Sequence, residues 1–311
     1  MGIKHILGFF HCLVLSIILV GCTSQTVDDP IQGSLQLIPP SNDTTVISRP
    51  FPNSIIPGVP SFVSSPKTLL QDASPSTSAL TLYVYDGEKT WVAICYDDVV
   101  VNEILDNLNS VIAIEAPGWS LKDITLPLYG LEIGRADGWS IQAAWSNGYW
   151  IAQDGKAYNF DFDFRHLRTD YTWSNASEYL GINNMPCASL LTKDTNGWNR
   201  SYMTPAHIIA PAENISVAIK TWGQSRLDLQ ITNTGLAEWS FGEVYELQVY
   251  LDNMWYVVPK IPGNWAFNLP LYTLPAAHSL DKAYDLGWYG NLPVGTYRLV
   301  VENTWVDFRI E

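Results

Sequence analysis

The chain has 311 residues, 47% of them hydrophobic and only 15% charged, enough apolar material for two packed domains rather than a disordered tail. Seventeen basic residues against 31 acidic ones leave a net charge of -14. Such a body repels phosphate backbones and anionic headgroups, which argues against nucleic acid as a partner and against a basic membrane-binding face.

The first element is an apolar run from Ile6 to Val20, preceded by one basic residue, Lys4, and closed by Leu19-Val20-Gly21-Cys22. A short apolar core behind a positive start, ending in small residues, reads as an export signal. A retained membrane span would need roughly 20 apolar residues, and this run is shorter and interrupted by His11. The Leu-Val-Gly-Cys ending resembles the lipobox of bacterial lipoproteins. That resemblance implies removal of residues 1–21, a lipid on the Cys22 sulfur, palmitate-type acyl chains in the membrane, and a position on the extracytoplasmic face.

Residues 22–78 are rich in Ser, Thr, Pro and Asn, and Pro39-Pro40, Pro50, Pro52, Pro57, Pro60, Pro66 and Pro75 interrupt any helix. This segment is expected to be a flexible tether with an r.m.s. reach of roughly 40 Å; Ile31 to Ile38 and Ile55 to Val63 are apolar enough to dock locally. Of the four cysteines, Cys12 leaves with the leader and Cys22 carries the lipid. Cys95 and Cys187 remain, either joined as a disulfide, which an extracytoplasmic setting permits, or buried as two free thiols. No Cys/His spacing suits zinc, and no cofactor is expected.

Residues 79–207 form the first domain. Leu80, Leu82 and Val84 alternate with Thr81, Tyr83 and Tyr85, Asp86-Gly87 turns, and Thr90 to Tyr96 returns as a second strand. Asp97 or Asp98 can cap a helix whose apolar stripe is Val101, Ile104, Leu105, Leu108 and Ile112. From Trp139 to Phe164, Asn147-Gly148 and Asp154-Gly155 each read as a two-residue hairpin loop. The resulting meander pairs Ser146 with Tyr149, Trp145 with Trp150, Ile151 with Tyr158 and Tyr149 with Phe160. One face then carries Tyr149, Ile151, Tyr158, Phe160, Phe162 and Phe164 and should bury the helix. The other carries Trp145, Trp150, Asn159, Asp161 and Asp163. The fold expected is α+β, an antiparallel sheet with one packed helix. Arg165 to Pro205 keeps too many large apolar groups for a free linker and should wrap the domain.

Residues 208–214 read as a linker, and residues 215–311 as all-β. Leu227, Leu229 and Ile231 alternate with polar residues before Asn233-Thr234-Gly235. Tyr245 to Leu251 and Trp255 to Val258 form a hairpin around Asp252-Asn253, and Tyr297 to Val301 and Val306 to Ile310 close the set. Short strands with turns over about a hundred residues suggest a β-sandwich, and Gly295 to Leu299 suggests a tyrosine corner through Tyr297. Asn233-Thr234-Gly235, Phe241-Gly242, Trp255-Tyr256 and above all Tyr289 to Arg298 are similar to the bacterial immunoglobulin-like domain of surface proteins and lipoproteins. The resemblance implies a sandwich and an extracytoplasmic setting, and brings no catalytic residues.

Chemistry is sparse. His166, His207 and His278 lie in separate segments, and no hydrolase, nucleotide or dinucleotide pattern is present. Asp161 and Asp163 could act as a carboxylate pair, but strand alternation already explains them. Sequons at Asn42, Asn175, Asn199 and Asn214 are expected to be chance. The unusual feature is the load of 13 Trp and 16 Tyr. Trp145 and Trp150, beside Asn159 and Asp161, could form a sugar-stacking face, unless the following loops cover them. The chain therefore reads as a lipid-anchored protein with a binding or structural role at the bacterial envelope and no enzymatic activity. Its partners are the membrane through Cys22 and an envelope glycan or protein; an envelope-glycan hydrolase or a ligand sensor are the alternatives.

Overall fold

The computed structural model describes residues 39–41, 44–47, 77–135, 140–194, 197–207, 210–223, 225–262 and 270–311. The leader, Cys22 and most of the tether lie outside the described residues. The rest is mostly β, with few helices.

The first body is built on an eight-stranded antiparallel sheet. Its strands are β2 (Thr77–Tyr85), β3 (Lys89–Cys95), β4 (Ala113–Glu115), β5 (Leu128–Arg135), β6 (Ser140–Ser146), β7 (Tyr149–Ala152), β8 (Ala157–Phe160) and β9 (Ser174–Leu180), in the order β4-β8-β7-β6-β5-β2-β3-β9. Helix α1 (Asp98–Asn109) follows β3. Asp97 caps it by accepting hydrogen bonds from the backbone N–H groups of Val99 and Val100 at 2.9 and 3.3 Å, a contact generally worth about 1 kcal/mol. Val101, Ile104, Leu105 and Leu108 are fully buried against Leu80, Leu82 and Leu131. Ile112 falls off the expected stripe: the helix stops at Asn109 and Ile112 is 80% exposed.

The two hairpins of the meander differ. Asn147 and Gly148 both adopt positive φ, and the two-residue loop holds Ser146 opposite Tyr149 and Trp145 opposite Trp150, as expected. At the second turn the Gly155 N–H donates to the Ala152 carbonyl and the Ala152 N–H to the Lys156 carbonyl, both at 2.9 Å, with Gly155 alone at positive φ. That is a three-residue loop, a type I turn closed by a glycine bulge. The extra residue moves the register by one, so Ile151 faces Ala157, Trp150 faces Tyr158 and Tyr149 faces Asn159. A one-residue slip exchanges the faces of a strand. Trp145, Trp150, Tyr158 and Phe160 therefore share the helix side, while Tyr149, Ile151 and Asn159 point the other way. Strand β8 also ends at Phe160; Asp163 caps a second helix, α2 (Phe164–Asp170), so Phe162 and Phe164 continue no strand.

The opposite face of the sheet is covered as well. Ile182, Met185, Cys187, Ala188 and Leu191, in and before the short helix α3 (Ala188–Thr192), pack on Tyr85, Leu128, Ala144 and Ile151. These are the wrapping loops expected after Arg165.

The second body is a sandwich. One sheet holds β12 (Ile215–Gly223), β13 (Arg226–Asn233) and β18 (Ser279–Asp285). The other holds β15 (Tyr245–Leu251), β16 (Met254–Val257), β19 (Gly295–Val301) and β20 (Thr304–Ile310). Strands β14 (Trp239–Phe241) and β17 (Tyr272–Leu274) pair separately, as do the two short strands before the sandwich, β10 (Lys193–Asp194) and β11 (Gly197–Trp198). Leu227, Leu229, Ile231, Leu247, Val249, Tyr297, Leu299 and Phe308 form its core. The corner is present: the Tyr297 hydroxyl donates to the Pro293 carbonyl at 2.6 Å. It also accepts from the Trp198 indole at 3.2 Å.

Two findings alter the expected boundaries. Thr45–Ile47, placed in the tether by composition, is a strand, β1, paired parallel with β20. Before the expected linker, the Ala206 N–H already donates to Trp255, and the Thr204 carbonyl accepts from Val257. The chain joins the sandwich earlier than its proline content suggests.

Candidate functional site

The tryptophan face does not form. Trp150 is 1% exposed, with its ring 5.2 Å from that of Phe160. Trp145 stacks on Phe164 with centroids 5.0 Å apart and donates its indole N–H to the Phe160 carbonyl. Asn159 projects to the other side of the sheet, opposite Tyr149. Of the four residues expected together, only Trp145 and Asp161 meet, at a depression of about 540 Å³ shared with Tyr129, Asn147 and Arg165. Asp163 is the α2 cap and pairs with Arg165 at 2.6 Å; the guanidinium contacts lower its carboxyl to about 2. Cys95 and Cys187 are both free and buried. Cys95 belongs to the core on the helix side and Cys187 to the one on the loop side, so the sheet separates them and no disulfide forms. Burial pushes the Cys187 thiol well up, the opposite of a reactive cysteine.

A second concavity lies where the loop face of the sheet meets the sandwich. It has a volume of about 540 Å³. Strands β2, β5 and β6 supply Tyr83, Glu132 and Gln142; the turn before α3 supplies Asn183 and Asn184; the sandwich supplies Glu246 and Lys260. Alternation places the first three: Tyr83, Glu132 and Gln142 lie in adjacent strands on the side away from Leu82, Leu131 and Ala143. The Tyr83 hydroxyl donates to the Glu132 carboxylate at 2.8 Å. Burial, and then the Glu132 charge, push the Tyr83 phenol well above its ordinary range, so it stays a donor that orients the carboxylate. Burial lowers Lys260, partly offset by Glu246, and its ammonium sits 5.0 Å from the Trp288 ring centre. The cleft thus presents carboxylate acceptors, amides that both donate and accept, and one cation. Val244, Pro259, Ile261 and Pro262 supply an apolar wall.

Residues 211–308 match the bacterial Ig-like domain family. This agrees with the sandwich, its tyrosine corner and the resemblance carried by Tyr289 to Arg298. No curated protein sequence matches the chain. The Ig-like domain contributes Glu246 and Lys260 to the cleft, while the other polar groups come from the body before it. Reading the sequence missed this site because its residues come from distant segments. Glu132 did leave a signal, since Tyr129, Leu131 and Ile133 alternate with Leu128, Gly130 and Glu132; Asn183, Asn184 and Lys260 lie in segments without a period.

Proposed function

We propose that the chain is a lipid-anchored binding protein of the bacterial envelope whose ligand enters the cleft between the sheet and the Ig-like domain. The observation that carries this reading is the cleft itself: two carboxylates, three amides and a lysine converge from both bodies on one concavity. Amide and carboxylate groups together suit hydroxyl-rich molecules, which offer a donor and an acceptor at each position. The net charge of -14 disfavours a polyanion. The ligand class is therefore a neutral or cationic envelope saccharide. The Ig-like match supports a surface setting, and Leu19-Val20-Gly21-Cys22 supports the anchor.

Two experiments test this. Metabolic palmitate labelling should mark the wild type and not Cys22→Ser; equal labelling would end the anchor reading. On an array of neutral and cationic bacterial saccharides the purified protein should bind, and Glu132→Gln with Asn183→Ala should reduce that binding at least tenfold without loss of folding. An array with no signal above background would refute the ligand class.

A further inference from the structure

The sheet face that floors the cleft continues beyond it. Residues directly opposite one another in an antiparallel pair share a face, so the register carries the side of Glu132 from strand to strand. Gln142 lies opposite Glu132, Glu132 opposite Thr81, and Thr81 opposite Ile94. In the next row Tyr83 lies opposite Val92, and Val92 opposite Ser177. Two residues along β9, on the same side, comes Tyr179, opposite Thr90. Neighbouring strands sit about 4.8 Å apart, so the strip from β6 to β9 is about 19 Å long.

The strip changes character along its length. Beside the sandwich it holds Glu132, Glu246 and Lys260. Past Tyr83 it presents Thr81, Val92, Ile94, Ser177 and Tyr179, which are hydroxyl and apolar groups without charge. Thr81, Val92 and Ile94 are half-buried, and Ser177 is exposed. Tyr179 is 46% exposed, yet the chain just after it is fixed. The Gly181 N–H donates to the Glu88 carbonyl at 2.8 Å, and the Gly181 carbonyl accepts from the buried Thr90 hydroxyl at 2.6 Å. Tyr179 also stands near the cleft: after burial and Glu132, it adds to what holds the Tyr83 phenol high. Trp145 and Trp150, by contrast, are packed in or against the helix-side core.

Resting on the reading of the cleft as a saccharide site, we infer that the cleft is one end of an open groove that takes a chain of several sugar units, with Tyr179 as the stacking platform for a unit remote from Glu132. A sugar ring has faces of C–H groups and a rim of hydroxyls. The exposed tyrosine ring receives a face, and the Thr81 and Ser177 hydroxyls each donate to and accept from the rim. One ring is much shorter than the strip and cannot reach both ends. The uncharged floor suits neutral units along the chain and leaves selection by charge to the sandwich end. Because the backbone beside Tyr179 is already fixed, little order has to be imposed when a ring settles there.

Chain length tests the groove. The purified protein is probed on an array carrying each neutral or cationic bacterial sugar as monomer, dimer, tetramer and hexamer. For the sugar that binds, the tetramer should be held tighter than the monomer by about tenfold, the size of one aromatic stacking contact. Tyr179→Ala should remove that gain, with monomer binding and melting temperature as in the wild type. Tyr179→Phe, which keeps the ring, should retain the gain. Glu132→Gln with Asn183→Ala should weaken monomer and tetramer alike. Equal affinity at all lengths, or a gain that survives Tyr179→Ala, would overturn the groove and leave the cleft as a site for a single sugar. Monomer binding lost with Tyr179→Ala would overturn the separate platform in the same way. An array silent at every length would remove the cleft reading and the groove with it.

Discussion

The two bodies deal differently with a sheet that has two faces. The first covers both: α1 and α2 lie on one side and the turns around α3 on the other. Trp145 and Trp150 are consumed as packing. The sandwich turns one face of each sheet inward and leaves the other facing out, and on that outer face Arg298, Asp307, Trp255 and Trp305 form a small covered cluster instead. In the first body, then, an aromatic residue on a strand says little about binding. What remains open there is the rim of the sheet and the place where its loop face meets its neighbour, and the cleft sits at that junction.

Breaking each cover should be expensive, by different physics. Trp150→Ala removes a wholly buried indole from the helix-side core and should cost about 3–5 kcal/mol in chemical denaturation, as large aromatic truncations do. A cost below about 1 kcal/mol would mean that the helix side is not packed. Asp307→Ala leaves the Arg298 charge buried without its carboxylate. It should cost a comparable 3–5 kcal/mol, and the transition to watch is that of the sandwich.

Smaller changes sharpen the comparison. Tyr297→Phe deprives the Pro293 carbonyl and the Trp198 indole of their shared partner, and about 1–3 kcal/mol is expected in urea unfolding. Gly155→Ala tests the three-residue loop. A Cβ there would meet only Leu190 at an ordinary 3.7 Å, so the penalty is left-handed backbone strain alone, about 1–2 kcal/mol. A neutral result would argue against that loop.

The smallest effect is one of pH. Arg165 depresses the Asp163 carboxyl in the folded state to about 2, below its unfolded value of about 3.9. The unfolded chain therefore binds more protons between these values. The stabilisation is complete above about pH 4 and is lost as pH falls toward 2. Melting temperatures over that window should fall more steeply for the wild type than for Asp163→Asn.

Local signals carried much of this architecture. The β2–β3 hairpin, the α1 stripe, its Asp97 cap and most sandwich strands follow from alternation, helical spacing and turn dipeptides. The register after Asp154-Gly155 does not, because a glycine at positive φ serves a two-residue and a three-residue hairpin loop equally well. Choosing between them decides which side every later residue faces. Strand β1 was hidden for a different reason. Three residues among prolines carry no period, and their partner strand lies at the far end of the chain. The cleft was hidden for the same reason on a larger scale, its polar groups being set by how two bodies meet.

The central claim is that binding belongs to this cleft and not to the depression beside Trp145. The most direct measurement compares two variants against the wild type on the same neutral and cationic saccharide array, with melting temperatures recorded in parallel. Glu132→Gln with Asn183→Ala alters the cleft, and Asp161→Ala alters the depression. At least a tenfold loss for the first, with wild-type binding by the second and little change in melting temperature for either, is the predicted result. Binding that survives the cleft variant and is lost with Asp161→Ala would contradict the account.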